Sequence, residues 1–116
     1  MTVGLLIKDH QEDLYEFVIN HIGLTSRESI DVCELTNLTI CNLSHDSDVP
    51  LTEENRNIKK RTYSQQLTFE LVDKWVEMGL HELQIRLLTQ KFIPFMVSVI
   101  MYKYEEQQFE REEVYH

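Results

Sequence analysis

Oxygen donors at alternate positions are the first chemistry the chain suggests. Asp46-Ser47-Asp48 follows His45 and precedes Glu53 and Glu54, an acid spacing that resembles part of a calcium loop. Such a loop also needs a glycine at its sharp turn and a closing glutamate at a fixed distance, and neither is present. The segment 44–51 is therefore read as a polar, acidic connection, and no metal is expected. Cys33, Cys41 and His45 supply three zinc donors without a fourth at a familiar spacing. Both cysteines are better read as small apolar side chains.

Nucleophilic chemistry finds no stronger footing. A Cys33–His45 pair has no sequence relation that would distinguish it from chance. His10, His21, His45, His81 and His116 are dispersed along the chain. A glycine-rich phosphate loop, a nucleophile elbow and a paired-histidine zinc helix are all absent. The reading is a non-enzyme, with no cofactor and no catalytic or metal residue assigned.

Charge carries more information. The chain has 11 Lys and Arg against 20 Asp and Glu, a formal charge of −9. That balance disfavours a nucleic-acid binder, which uses a basic face, and suits a partner with a positive surface. Residues 1–57 hold three bases against eleven acids, a net of −8; residues 58–104 hold seven against four, a net of +3; residues 105–116 return to −4. Asp9, Glu12, Asp13 and Glu16, with Asp46 and Asp48, are the candidate partner-binding residues. Spaced carboxylates of this kind can steer a basic partner and stand in for phosphates toward a nucleic-acid-processing enzyme or its regulator. Lys59-Lys60-Arg61 is the one basic cluster, and on a helix its members point in three directions. The alternative role for Lys59, Lys60 and Arg61 is contact with nucleic acid; solvation is the simpler reading.

These residues need elements to hold them. The longest candidate spans 53–78. Thr52 is placed to cap it, Glu53 and Glu54 sit in the first turn, and Gly79 can end it in a left-handed conformation. Within it Ile58, Leu67, Leu71, Val72, Trp75, Val76 and Met78 recur at spacings that fit a helix, densest after Leu67, and Trp75, four residues from Leu71 and three from Met78, is expected in the core. A first helix is expected over 9–22, capped by Asp9 with Glu12 three residues on, and stopped by Gly23. A third is expected over 81–92, ended or kinked by Pro94. Segments 30–35 and 38–43 are rich in β-formers and are read as a hairpin about Asn37; 95–104 is read as a strand on the same ground. The fold class expected is thus α+β, one domain over 1–116 with a long central helix and a small antiparallel sheet. The alternative is an all-α bundle. Residues 105–116 are read as a charged surface helix or a frayed tail, with Tyr102, Tyr104, Phe109 and Tyr115 as aromatic candidates for docking.

At 13.9 kDa, folding is expected to bury roughly two-thirds of the extended surface, enough for a core without disulfides. No secretory signal is legible, and the most apolar run, 92–102, falls short of the ~18 residues of a membrane span. A reduced, cytoplasmic setting without membrane contact is the expectation. Size and charge together associate the chain with adaptors, inhibitors and phage accessory proteins. Function is read as a non-catalytic protein-binding module facing a basic partner. The alternative is a structural subunit, a homodimer first, because a long helix of about 39 Å would overreach a sphere roughly 35 Å across and leave apolar surface uncovered.

Overall fold

The computed structural model describes residues 2–45 and 48–114. It is 84% helical, and no strand forms among the described residues. Helix α1 (Val3–Leu6) leads through a 3-10 turn (Lys8–His10) into α2 (Gln11–Phe17), whose last turn widens to a π segment (Val18–Ile22). Helices α3 (Ser26–Asn42) and α4 (Glu53–Glu77) follow. Helix α5 (Glu82–Leu87) then runs through a second π segment (Leu88–Phe92) into α6 (Ile93–Val114). The expected α+β class with its antiparallel sheet is overturned; the chain is a helical, bundle-like globule.

The expected hairpin at 30–35 and 38–43 is helix α3, and the reason is burial. Thr25 caps it: its hydroxyl accepts from the Glu28 N–H at 3.2 Å, and the Glu28 carboxylate accepts from the Thr25 N–H at 3.0 Å. Ser29, Val32, Thr36, Thr39 and Ile40 then fall on one helical face and are buried. Burying Val32 and Ile40 contributes about 1.5–3 kcal/mol each, whereas their deficit in helix propensity is roughly half a kcal/mol per residue. Thr36 satisfies its buried hydroxyl by donating to the Val32 carbonyl at 2.7 Å.

The expected strand 95–104 is likewise helix, within α6. Leu88, Phe92, Ile93, Met96, Val97, Ile100, Met101 and Tyr104 are buried at i, i+3/i+4, i+7 spacing. Off that stripe, Phe95 and Val99 are half-buried and Tyr102 is exposed. Pro94 neither ends nor separates the two helices. Just before it the Ile93 N–H reaches back five residues to the Leu88 carbonyl. The wider π turn makes room where a proline ring would strike the carbonyl of the preceding turn.

Helix α4 forms as its sequence indicates. The Thr52 hydroxyl accepts from the Asn55 N–H, and Asn55 returns the bond to the Thr52 N–H at 2.8 Å. At the other end Gly79 takes φ 83°, Leu80 N–H bonds the Trp75 carbonyl and Gly79 N–H bonds the Val76 carbonyl, a Schellman cap. Tyr63, Leu67, Leu71 and Trp75 form its buried face. The first helix departs from expectation at its start. Asp9 lies in the 3-10 turn, and α2 has His10 at its N-cap without a side-chain cap, so the Asp9–Glu12 box does not form. Gly23 ends the following π segment at φ 79°.

Helix α4 packs on α6, α1 on α3, α3 on α4, and the two π segments on each other. The molecule measures 50 × 24 × 22 Å with a radius of gyration of 14.9 Å, against about 13 Å for a compact chain of this length. The molecule is thus elongated, and its 50 Å extent exceeds the roughly 39 Å length of the long helix.

Candidate functional site

Polar groups tie His45, Val49 and Leu51, in the connection between α3 and α4, to α4 and α6. His45 is buried, with Nδ1 2.9 Å from the Tyr63 hydroxyl and Nε2 3.2 Å from Gln107 Oε1. Nε2 faces an amide oxygen and so donates to Gln107, while the Tyr63 hydroxyl can donate to or accept from Nδ1. The Tyr104 hydroxyl donates to the Val49 carbonyl, and its ring meets His45 edge-on. Gln108 accepts from the Leu51 N–H and donates to the Leu51 carbonyl at 3.0 Å. Arg56 pairs with Glu105. Together these contacts clamp the connection onto the two helices, with His45 buried beneath it.

The acids singled out in the sequence are split between surfaces. Asp9 borders a hollow between α1 and α6, 3.9 Å from Lys103 Nζ, together with Glu106 and Glu110. Glu12 is exposed. Asp13 and Glu16 instead border a shallow groove with Phe17, Phe95 and Val99. Phe17 stacks on Phe95 there at 4.3 Å and 8°, and Asp13 holds His10 Nδ1 at 2.9 Å. Asp48 is exposed in the connection, and Asp46 lies outside the described residues. Lys59, Lys60 and Arg61 occupy consecutive positions on α4; Lys59 is half-buried and the other two are exposed. Among the described residues no carboxylate pairs with any of the three.

A larger groove, of about 680 Å³, runs between α3 and the C-terminal turns of α4. Asp31, Glu34, Leu35 and Leu38 enter it from α3, and Lys74, Glu77 and Met78 from the α4 end. The α3 set is i, i+3, i+4, i+7, a single face of one helix. Leu38 is 68% exposed and Met78 37%. Lys74 leans back to the Thr39 hydroxyl at 3.4 Å, which leaves three carboxylates around an apolar floor. None of these acids was singled out from the sequence, because 30–43 was read as strand. Taken as a helix, that stretch shows the pattern directly.

The cysteines do not converge. Cys33 is half-buried on α3, and burial pushes its thiol up to about 11, so it stays protonated at neutral pH. Cys41 is exposed near the end of the same helix. Among the described residues no group of three or more His, Cys, Asp or Glu stands close enough to hold a metal ion. Tyr104 is buried while Tyr102 and Phe109 are exposed, and Tyr115 lies outside the described residues.

The continuous helix through Pro94 also alters the reading of apolar length. The stretch Glu82–Glu110, 29 residues, is long and apolar enough to cross a membrane by length and composition, with 39% of its most apolar window buried against the rest of the chain. Comparison with protein-family models, curated proteins and solved structures finds no match.

Proposed function

We propose that this chain is a non-catalytic protein-binding module, an adaptor or inhibitor, that receives a basic amphipathic segment of another protein in the α3–α4 groove. The observation that carries this reading is the juxtaposition of Asp31, Glu34 and Glu77 with Leu35, Leu38 and Met78 in one groove. An amphipathic helix laid in an apolar groove uses its apolar face for affinity, and the acidic rim selects lysines and arginines beside that face. The formal charge of −9 raises the encounter rate with such a partner. Asp9, Glu12, Asp13, Glu16 and Asp48 contribute to that field from other surfaces. They act in steering and not in the seat.

The test uses defined helical peptides, one with a lysine-flanked leucine face and one with the same face flanked by glutamate. Backbone amide shifts should move around Leu38 and Met78 with the basic peptide and not with the acidic one. Glu34→Lys with Glu77→Lys should abolish the response, while Glu12→Lys with Glu16→Lys should only slow association. Equal response to both peptides, or shifts centred on Phe17 and Phe95, would remove the α3–α4 groove as the seat.

A further inference from the structure

The solvent face of α4 is unusually apolar for a surface that covers nothing. Phe69 is 80% exposed, Ile58 63% and Val76 58%. They stand 11 and 7 residues apart, close to whole numbers of helical turns, so they fall on one line down the helix. Thr62, Gln65 and half-buried Val72 occupy the places between them on the same line. The spacings 4, 3, 4, 3, 4 are those of the a and d positions of a heptad seam.

We infer that a second copy of this chain docks antiparallel on this line, forming a two-fold dimer through α4. The line is its own complement when reversed. Positions 58 and 76, 62 and 72, and 65 and 69 are each equidistant from Leu67. An antiparallel copy sets Ile58 against Val76, Thr62 against Val72 and Gln65 against Phe69, each layer occurring twice about the axis. An isologous interface requires this kind of self-matching, and a foreign partner would not call for it.

The charges beside the line obey the same symmetry. Lys59 and Asp73 flank it on one side, at its two ends, and neither has an ion-pair partner among the described residues. Reversal brings Lys59 of each copy to Asp73 of the other. It also opposes the helix dipoles and places the 59–61 basic run of one chain at the end where Glu70, Asp73 and Glu77 of the other lie. A parallel copy would gather both basic runs at one end and the acids at the other. The seam is a single stripe per chain, so the dimer belongs at the small end of specific interfaces and is concentration-dependent. This inference is independent of the α3–α4 groove reading.

Sedimentation of the full chain tests it. Twice the chain mass is expected at high micromolar concentration, falling to the monomer on dilution. Phe69→Ser should leave far-ultraviolet circular dichroism unchanged, since the ring is solvent-exposed, and should abolish the dimer. Lys59→Glu should weaken association up to about tenfold, as expected for losing two exposed pairs. Adding Asp73→Lys should restore it. Register is read by oxidation with Cys41→Ser as background; Cys33, half-buried and protonated, remains in place. Thr62 of one copy faces Val72 of the other, so the double variant Thr62→Cys with Val72→Cys should form an intermolecular disulfide, and Thr62→Cys alone should not. A monomer at all concentrations, a dimer that survives Phe69→Ser, or cross-linking through Thr62→Cys alone in place of the Thr62→Cys with Val72→Cys pair would overturn the inference.

Discussion

The two faces of α4 carry side chains of similar hydrophobicity and have opposite fates. On one, Tyr63, Leu67, Leu71 and Trp75 lose nearly all their solvent exposure. On the other, Ile58, Phe69 and Val76 keep more than half of theirs. Both lines run at helical spacing, and the outer one is interrupted by Thr62 and Gln65. What separates them is whether another element arrives to cover them: α6 and α3 pack on the first, and neither hides the second. Apolar periodicity fixes that a segment is a helix, but the remainder of the chain decides which of two apolar lines becomes core.

Removing the largest side chain of the covered face should have the largest effect. Trp75 is fully buried at the C-terminal end of α4. Trp75→Ala is expected to cost about 3–5 kcal/mol, the range for a packed aromatic truncated to alanine. The Trp75 indole N–H has no hydrogen-bond partner among the described residues. The loss is therefore one of packing, and Trp75→Phe should recover most of it. Urea unfolding of both variants checks this. Equal losses in the two would mean that the indole N–H makes a bond of its own.

Coverage also depends on how closely elements can approach, and Gly4 sets that distance where α1 meets α3. A Cβ there would lie 2.7 Å from Cys41 Sγ and 3.1 Å from Cys41 Cα. The thiol can rotate away, but the backbone atom cannot. Gly4→Ala is expected to push α1 off α3 and cost about 1–3 kcal/mol, the usual range for overpacking. Cys41→Ala in the same chain should return only part of the loss, because the backbone of residue 41 still stands in the way. Full recovery would show that the sulfur alone sets the separation.

A smaller effect is expected at the cap of α3. Thr25→Ala removes the hydroxyl that accepts from Glu28 N–H and should cost about 1 kcal/mol in thermal unfolding. Thr52→Ala should cost α4 a similar amount, since both helices begin with the same reciprocal pair. A much larger loss at α3 would mean that its many β-formers make it more dependent on its cap.

The contrast between covered and uncovered faces also explains what was legible in the sequence. Helix α4 was legible because Thr52 and Gly79 bracket it and its buried positions are all large and apolar. Helix α3 was not, because three of its five buried residues are Ser29, Thr36 and Thr39. Hydroxyl side chains hide a core face from any search for apolar periodicity, and Ile30, Val32 and Ile40 then read as strand. Helix α6 was obscured for the opposite reason: between Phe92 and Tyr102 it is apolar nearly all round, and Pro94 suggested a stop that a π turn avoids. The groove was lost with α3. Once Asp31, Glu34 and Leu38 are set on a helix they share a face, whereas alternation along a strand would have divided them.

The smallest effect separates stability from association. Phe69→Ser changes the most exposed large apolar residue on α4, and in dilute solution it should alter unfolding free energy by no more than about 0.5 kcal/mol. Concentration makes the difference visible. An association that binds only the folded chain stabilises it by mass action, so the wild-type midpoint should climb as the protein is concentrated. The Phe69→Ser midpoint should stay level. Leu71→Ala, two residues away on the covered face, should lower the midpoint at every concentration, with a loss of about 2–5 kcal/mol of unfolding free energy in dilute solution. Parallel curves for wild type and Phe69→Ser would mean that the outer line of α4 meets only water, and the two faces would then differ in coverage alone.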